Sequence, residues 1–268
     1  MKIVVEIYRM LFARRIFYRV NRFVYRCSLR GIGVLNSENA RVSGEDVFLE
    51  KYLCRRDGCV VFDVGANVGS YSRKIFQSCP SATVYAFEPH PVTFATLEGS
   101  VGANGFYPVN AAASDSNGVM ELYDYAQNDG SSHASLHRDV IEGLHKQKAV
   151  THQVNVVALG DFAAKQNIGK IDLLKIDTEG NELKVLLGMK NYIDSGMVDA
   201  IHFEFNEMNV SSRTYFRDFW NLLPNYDFFR LLPDGMVKID IYEPDLCEIF
   251  AYQNIVALLK NSAAVKCS

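Results

Sequence analysis

The sequence predicts an α/β fold, a doubly wound Rossmann-like sheet with helices on both faces, preceded by a basic amphipathic helix. Three observations predict it. From residue 59 onward, short apolar runs alternate with amphipathic segments, the pattern of parallel strands joined by crossover helices. A glycine-bearing turn, Asp63-Val-Gly-Ala-Asn-Val-Gly69, stands between the first run and the first amphipathic segment. Carboxylates end successive runs at Asp63, Glu88 and Asp177, and open α/β sheets bind their ligands at the carboxyl ends of their strands.

The elements follow in order. Residues 2–30 read as one amphipathic helix: Arg15, Arg19, Arg22, Arg26 and Arg30 recur at helical spacing beside a stripe of Tyr8, Phe12, Ile16, Val20 and Phe23. Gly31 and Gly33 stop it. Residues 34–58 form a connector with a short helical piece at 46–53, and the domain proper is expected to span 59–260. Strands are predicted at 59–64, 83–87 and 106–110, with helices at 70–77 and 92–101 between and after them. Strands at 119–125 and 153–159 flank a polar stretch, 128–148, long enough to act as a lid or binding loop. The alternation resumes with strand 171–176, helix 182–189, strand 200–205 and helix 215–222. Strands at 228–232, 236–241 and 249–258 close the chain.

Bulk properties bound the function. With 268 residues, 49% of them hydrophobic and 22% charged, the chain suits one α/β domain with an appendage. Residues 1–30 carry eight Lys and Arg side chains against Glu6 alone, so the whole-chain net charge of −3 leaves about −10 on the remainder. A body so charged is not a general nucleic-acid binder. The six cysteines include no C-x-x-C pair and no accompanying His cluster. They read as reduced thiols of a cytoplasmic enzyme rather than as a zinc site or disulfide scaffold. No apolar stretch reaches the ~20 residues of a membrane span, and the recurring arginines break any signal-peptide core.

The chemistry concentrates at strand ends. In the first turn Gly65 lets the chain bend sharply, Gly69 permits close approach, and the helix behind offers free N–H groups to an anionic group. The spacing is G-x-x-x-G, which lacks the third glycine of a dinucleotide cradle; a dehydrogenase reading therefore fails. Glu88, in Ala-Phe-Glu-Pro, stands where a carboxylate accepts both hydroxyls of a ribose. Asn110, Ala112 and their small neighbours end the third strand and leave room for a flat ring. Leu173-Leu-Lys-Ile-Asp-Thr-Glu-Gly-Asn-Glu182 gathers Asp177, Glu179 and Glu182. These suit recognition of a ligand's amine, acceptor binding, general-base work or ligation of a divalent metal, and the residues alone leave these alternatives open. On the fifth strand of the alternation His202 and Glu204 share one face, and either can serve as a general base; Asn206 follows as an acceptor contact. His133, in the polar loop, is a further substrate contact.

These strings, "FDVGANVGSYS", "AFEPHP", "NAAASD", "IDLLKIDTEGNELKVLLGM" and "HFEFN", resemble the FkbM family of S-adenosylmethionine-dependent methyltransferases over roughly residues 59–258. The Lys-Ile-Asp-Thr-Glu-Gly-Asn-Glu string is the most specific part. The resemblance implies a class I methyltransferase fold, a seven-stranded mixed sheet with a reversed last hairpin. It implies methyl transfer to a hydroxyl oxygen of a glycan or other small hydroxylated metabolite. Asp63, Gly65, Asn67 and Gly69 would then surround the methionine portion of the cofactor, Glu88 would hold the ribose, and Asp177 would stand by the sulfonium or the acceptor. A non-catalytic binding module is the competing reading, as is transfer to a protein or nucleic acid. The basic helix of residues 1–30 is expected either to lie on an anionic membrane, placing the enzyme peripherally at its inner face, or to pack on the domain or a partner.

Overall fold

The computed structural model describes residues 2–53, 56–102, 104–127, 130–131 and 133–260. The expected single N-terminal helix is two: α1 (Lys2–Phe12) and α2 (Tyr18–Gly31), separated by an elbow in which Arg14 is extended. The break is held by side chains that a continuous helix would keep apart. The Tyr8 hydroxyl donates to Asn21 Oδ1 at 2.6 Å, and the Phe12 carbonyl accepts from Asn21 Nδ2 at 2.9 Å and from Arg14 N–H at 2.8 Å. The connector holds α3 (Ala40–Ser43), which Asn39 caps through Oδ1, and α4 (Glu45–Leu53). Phe48, Leu49, Tyr52 and Leu53 of α4 are core residues.

The alternation then runs β1 (Val60–Val64), α5 (Ser70–Ser78), β2 (Thr83–Phe87), α6 (Pro91–Ser100) and β3 (Phe106–Val109). After it come β4 (Ala112–Ser114), β5 (Gly118–Tyr125), β6 (Ala149–Ala158) and α7 (Leu159–Lys165). Next are β7 (Ile171–Ile176), α8 (Glu182–Gly188), α9 (Lys190–Asp194), β8 (Val198–Phe205), α10 (Met208–Ser212) and α11 (Phe216–Leu222). The chain closes with β9 (Tyr226–Leu232), β10 (Gly235–Ile239), α12 (Pro244–Cys247) and β11 (Gln253–Leu259).

The main sheet has the order β10-β9-β11-β8-β7-β1-β2-β3. Strands β3, β2, β1, β7 and β8 are parallel, and β11 runs antiparallel between β8 and β9. The seven strands from β3 to β9 are the implied reversed-hairpin arrangement; β10 adds an eighth at the edge. Strand periodicity builds a core on each face. Phe62, Leu174, Phe203 and Ile255 point to the layer containing α7, α8, α9 and α11. Val61, Leu173, Ala200 and Val256 point to the layer of α4 and α5.

The strands expected at 119–125 and 153–159 are present, the second beginning earlier, at Ala149. β5 and β6 pair antiparallel from Gly118↔Val156 to Tyr125↔Ala149, and β4 joins them as a second, three-stranded sheet. A π turn at Val140–Leu144 lies between, with Val140 and Ile141 buried. Strand β4 is three residues long and α9 and α10 five each, too short for periodicity to reveal. Cys27, Cys59, Cys79 and Cys247 are free thiols; Cys54 and Cys267 lie outside the described residues.

Candidate functional site

The site is built at the carboxyl ends of β1, β2 and β7. Gly65 leaves β1 at φ 79°, and its N–H, with that of Ala66, donates to the Phe87 carbonyl at 3.0 Å. This pins the end of β1 to β2. A Cβ on Gly65 would stand 1.7 Å from the Asp177 carbonyl oxygen, so β7 closes against β1 only because the residue is glycine. Gly69, also at φ 79°, caps α5 and lets it approach Leu97 and Ser100 of α6.

Glu88 is the hub of the turn. Its Oε2 accepts from Asn67 N–H at 2.9 Å and its Oε1 from His90 N–H at 2.8 Å. Burial nonetheless pushes its carboxyl up to about 7. Asp63 is buried, accepts from Ser72 Oγ at 2.6 Å, and is likewise pushed up by burial to about 6.

A cavity runs along these ends, lined by Gly65, Asn67, Phe87, Glu88, Ala111–Ala113, Leu122, Asp177, Glu179 and Asn181. Ser131, Ala134 and Leu136 of the β5–β6 segment roof it. Asp124 holds that roof down: it accepts from the N–H groups of Gly130 and Ser131 at 2.8 Å and from Ser131 Oγ at 2.5 Å. Asn181 is buried and donates through Nδ2 to the Ala113 carbonyl at 2.8 Å. The half-buried His137 ring lies close enough to interact with the Asn181 side chain.

A second cavity lies across Asp177, lined by Glu45, Asp63, Gly65, Asn67, Tyr71, Lys74, Lys175 and Asp177. Lys175 is 2% exposed and its Nζ has no hydrogen-bond partner. Burial opposes its charge, but Asp177, Glu204 and Glu45 outweigh that and hold the ammonium well above its ordinary value. Asp177 Oδ2 is 3.7 Å away and Glu45 Oε1 3.8 Å. Asp177 therefore faces both cavities.

The other expected residues divide. Glu179, at φ 52°, lines the first cavity and meets His133 Nδ1 at 3.1 Å. Burial pushes the Glu179 carboxyl up to about 7, and the hydrogen bond to Glu179 raises His133. Glu204 lies one step beyond the Ile176↔Phe203 pair, beside Asp177. Burial and then Asp177 push its carboxyl well up, and Asn206 Nδ2 approaches it at 3.3 Å. Ala112 lines the cavity. Asn110 does not: its Nδ2 donates to the carbonyls of Glu88 and Pro89, holding the turn.

Two expectations are corrected. His202 is fully buried, with Nδ1 on the Tyr71 hydroxyl at 2.8 Å and Nε2 on Asn254 Oδ1 at 3.0 Å. Burial drives its pKa well down, so it is a neutral core histidine and no base. Glu182 is turned inward. Its Oε1 accepts from Thr178 N–H, Thr178 Oγ1 and Gly180 N–H at 3.0–3.1 Å, closing the turn that presents Glu179. Asp177, Glu179 and Glu182 thus diverge, and no three His, Cys, Asp or Glu side chains among the described residues are grouped to hold a metal ion.

Lys175, Asn181, Glu45 and Asp124 were not singled out from sequence. Lys175 had a signal: a lysine within an otherwise apolar buried strand.

The chain matches the family described as Methyltransferase FkbM domain over residues 63–229. It is 30% identical over 185 residues to 31-O-demethyl-FK506 methyltransferase FkbM of Streptomyces tacrolimicus, covering 59% of this chain and 71% of that protein. It is 25% identical to the 2-O-methyltransferase NoeI of Sinorhizobium fredii, covering 69% and 79%. It is 31% identical to the hexuronic acid methyltransferase AglP of Haloferax volcanii, covering 51% and 52%. With two further curated methyltransferases, from Beauveria bassiana and Sordaria araneosa, the match spans 59% and 60% of their length. Among solved structures, a precorrin-6y C5,15-methyltransferase from Geobacter metallireducens superposes with a TM-score of 0.43 at 11% identity, covering 81% of this chain and 88% of that one.

Proposed function

Because the chain belongs to the FkbM family of S-adenosylmethionine-dependent methyltransferases, we propose that it methylates a hydroxyl oxygen of a glycan or other small hydroxylated metabolite. The observation that carries this reading is the roofed cavity in which Glu88, Asn181, Asp177 and Glu179 converge.

The residues present fit the cofactor. Glu88 offers a carboxylate for ribose hydroxyls, Asn181 brings a polar side chain to the same cavity, and Ala111–Ala113 leave space for a flat base. Asp177 and Glu45 supply negative charge next to the second cavity, and Lys175 and Lys74 positive charge, which suits an amino acid's zwitterion. The bound cofactor supplies an electrophilic methyl on a sulfonium. The protein's part is alignment, exclusion of water by the Asp124-held roof, and removal of the acceptor's proton.

Glu179 suits the last task. Its carboxyl, raised to about 7, is near the operating pH of a general base, and His133 Nδ1 lies 3.1 Å from its Oε1. Glu179 would take the proton of the acceptor hydroxyl, which leaves that oxygen nucleophilic. Support for a hydroxyl acceptor comes from the relatives, whose names specify O-methylation or a hexuronic acid. The acidic body, about −10 outside residues 1–30, disfavours a nucleic-acid acceptor.

Incubation with methyl-labelled S-adenosylmethionine and a panel of uronic acids, oligosaccharides and polyketides tests the reading. Label is expected in an alkali-stable methyl ether. Glu179→Gln should lower kcat on the order of 100- to 1,000-fold and leave cofactor affinity nearly unchanged. Label appearing only in protein or RNA would refute it.

A further inference from the structure

We propose that α1 and α2 form an arm that docks the chain on an anionic lipid bilayer. The inference is independent of which acceptor is methylated. Leu29 is the one core residue the two helices supply. The large apolar side chains of the helices and of the elbow between them face outward instead: Val4 is 69% exposed, Ile16 of the elbow 81% and Phe23 68%. Monomeric soluble proteins rarely leave apolar surface of this extent without a partner.

Charge chooses the partner. Lys2 and Arg9 share one side of α1 with Glu6, which pairs with Arg9, so the cationic rim is carried chiefly by Arg19, Arg22, Arg26 and Arg30, which follow one another along α2. Basic rims beside a broad apolar face match the headgroup and acyl boundary of an anionic membrane. A second copy of the chain fits worse, since it would set one cationic rim against another. At 11 and 14 residues the helices are shorter than the ~20 a span requires, and among the described residues no helix is long and apolar enough to cross a membrane. They would lie in the interface.

The arm is jointed and anchored. At the elbow the Phe12 ring packs on Tyr8 and Phe17, with centroids at 4.9 and 5.3 Å. At its root Val34 bridges to Gln253 of β11, and Arg30 pairs with Glu38. The apolar surface continues onto the body there: Ile32, Val237, Ile241 and Leu246 are exposed and line one groove. Docking would therefore bring the edge of the main sheet down with the arm.

The full chain is to be sedimented with vesicles of phosphatidylcholine alone and of phosphatidylcholine mixed with phosphatidylglycerol, at low and high salt. Binding to the anionic vesicles alone, reversed by high salt, is expected. Ile16→Ser combined with Phe23→Ser should abolish it. Arg22→Ala combined with Arg26→Ala should lower partitioning about 25-fold, about fivefold per arginine. Both double variants should keep wild-type urea stability and cofactor affinity, since these positions lie outside core and site; that separates failure of docking from failure of the methyl-transfer reading. No binding to anionic vesicles at low salt would overturn the proposal. So would a solution dimer that the Ile16 and Phe23 substitutions dissociate.

Discussion

Gly65→Ala is the most direct perturbation of the cradle. The new Cβ would lie 1.7 Å from the Asp177 carbonyl oxygen and 2.8 Å from its carbonyl carbon. A tolerable C···O contact is about 3.3 Å, so the ends of β1 and β7 must part by roughly 1.6 Å. Holding a residue with a Cβ at φ 79° adds about 1–2 kcal/mol. Parting also strains the bond from Gly65 N–H to Phe87 and that from Asp177 N–H to Val64, at 3.0 and 2.9 Å, each worth about 1 kcal/mol net. The expected destabilisation is about 3–4 kcal/mol, a large share of the ~5–15 kcal/mol typical of a domain. A positioning group displaced by more than ~1 Å costs on the order of 100-fold in turnover. Urea unfolding followed by circular dichroism reads the first figure, and methyl transfer under saturating cofactor reads the second. Gly69→Ala is the control: it carries the same φ of 79° but its Cβ would meet side chains rather than backbone, Ser100, Leu97 and Val101 at 2.8, 2.9 and 3.1 Å, so the difference between the two variants isolates the backbone clash. A Gly65→Ala protein as stable and as active as wild type would refute the cradle argument.

Three further outcomes are expected. Glu88→Gln should weaken cofactor binding by about 10- to 100-fold in calorimetry, the range for a hydrogen bond to a charged group. It should also change the pH dependence of stability. A carboxyl raised to about 7 from 4.5 stabilises the fold fully below its unfolded value, and that contribution is lost as pH rises toward about 7. Relative to wild type, the variant should therefore gain up to about 3 kcal/mol between pH 4 and pH 8 in urea midpoints; a constant gap would show Glu88 to be unshifted. His202→Phe should cost about 2–5 kcal/mol by stranding the Tyr71 hydroxyl and Asn254, while the folded protein keeps its kcat; a loss of kcat at intact stability would restore the histidine to the chemistry. Turnover in wild type should rise as pH climbs through about 7 with ionisation of Glu179, and that limb should vanish in Glu179→Gln.

What sequence could reveal followed the range of each signal. The turn from Asp63 to Gly69 and the acid at Glu88 are local: glycine spacing and a carboxylate at a strand end report themselves, and β1, α5 and β2 fall within a residue or so of their expected limits. His202 could not be judged locally, because its neutrality comes from burial and then from Lys175 on the neighbouring strand, and its hydrogen-bond partners Tyr71 and Asn254 lie 131 and 52 residues away. Glu182 misled for a different reason. Three acids within six residues look like a cluster, yet one of them turns back to bind the N–H groups of its own loop. Glu45 was hidden in the connector, whose helix α4 contributes to the core and whose first residue reaches Lys175 across the fold.

Taken together, the charges of the site are out of balance without a ligand. Asp63, Glu88 and Glu179 all have carboxyls raised by burial, to about 6, 7 and 7, so ionising them costs the free protein stability. Lys175 is a buried cation close to them and has no hydrogen bond of its own. A domain optimised only for folding would not bury so many ionisable groups together in this way, since each carries a desolvation cost. The arrangement becomes economical once a ligand brings hydroxyls to Glu88, a positive centre to Asp177 and a carboxylate to Lys175. The same groups that destabilise the empty cleft would then select a cationic, ribose-bearing zwitterion over neutral nucleosides, which lack the charges that Asp177 and Lys175 require.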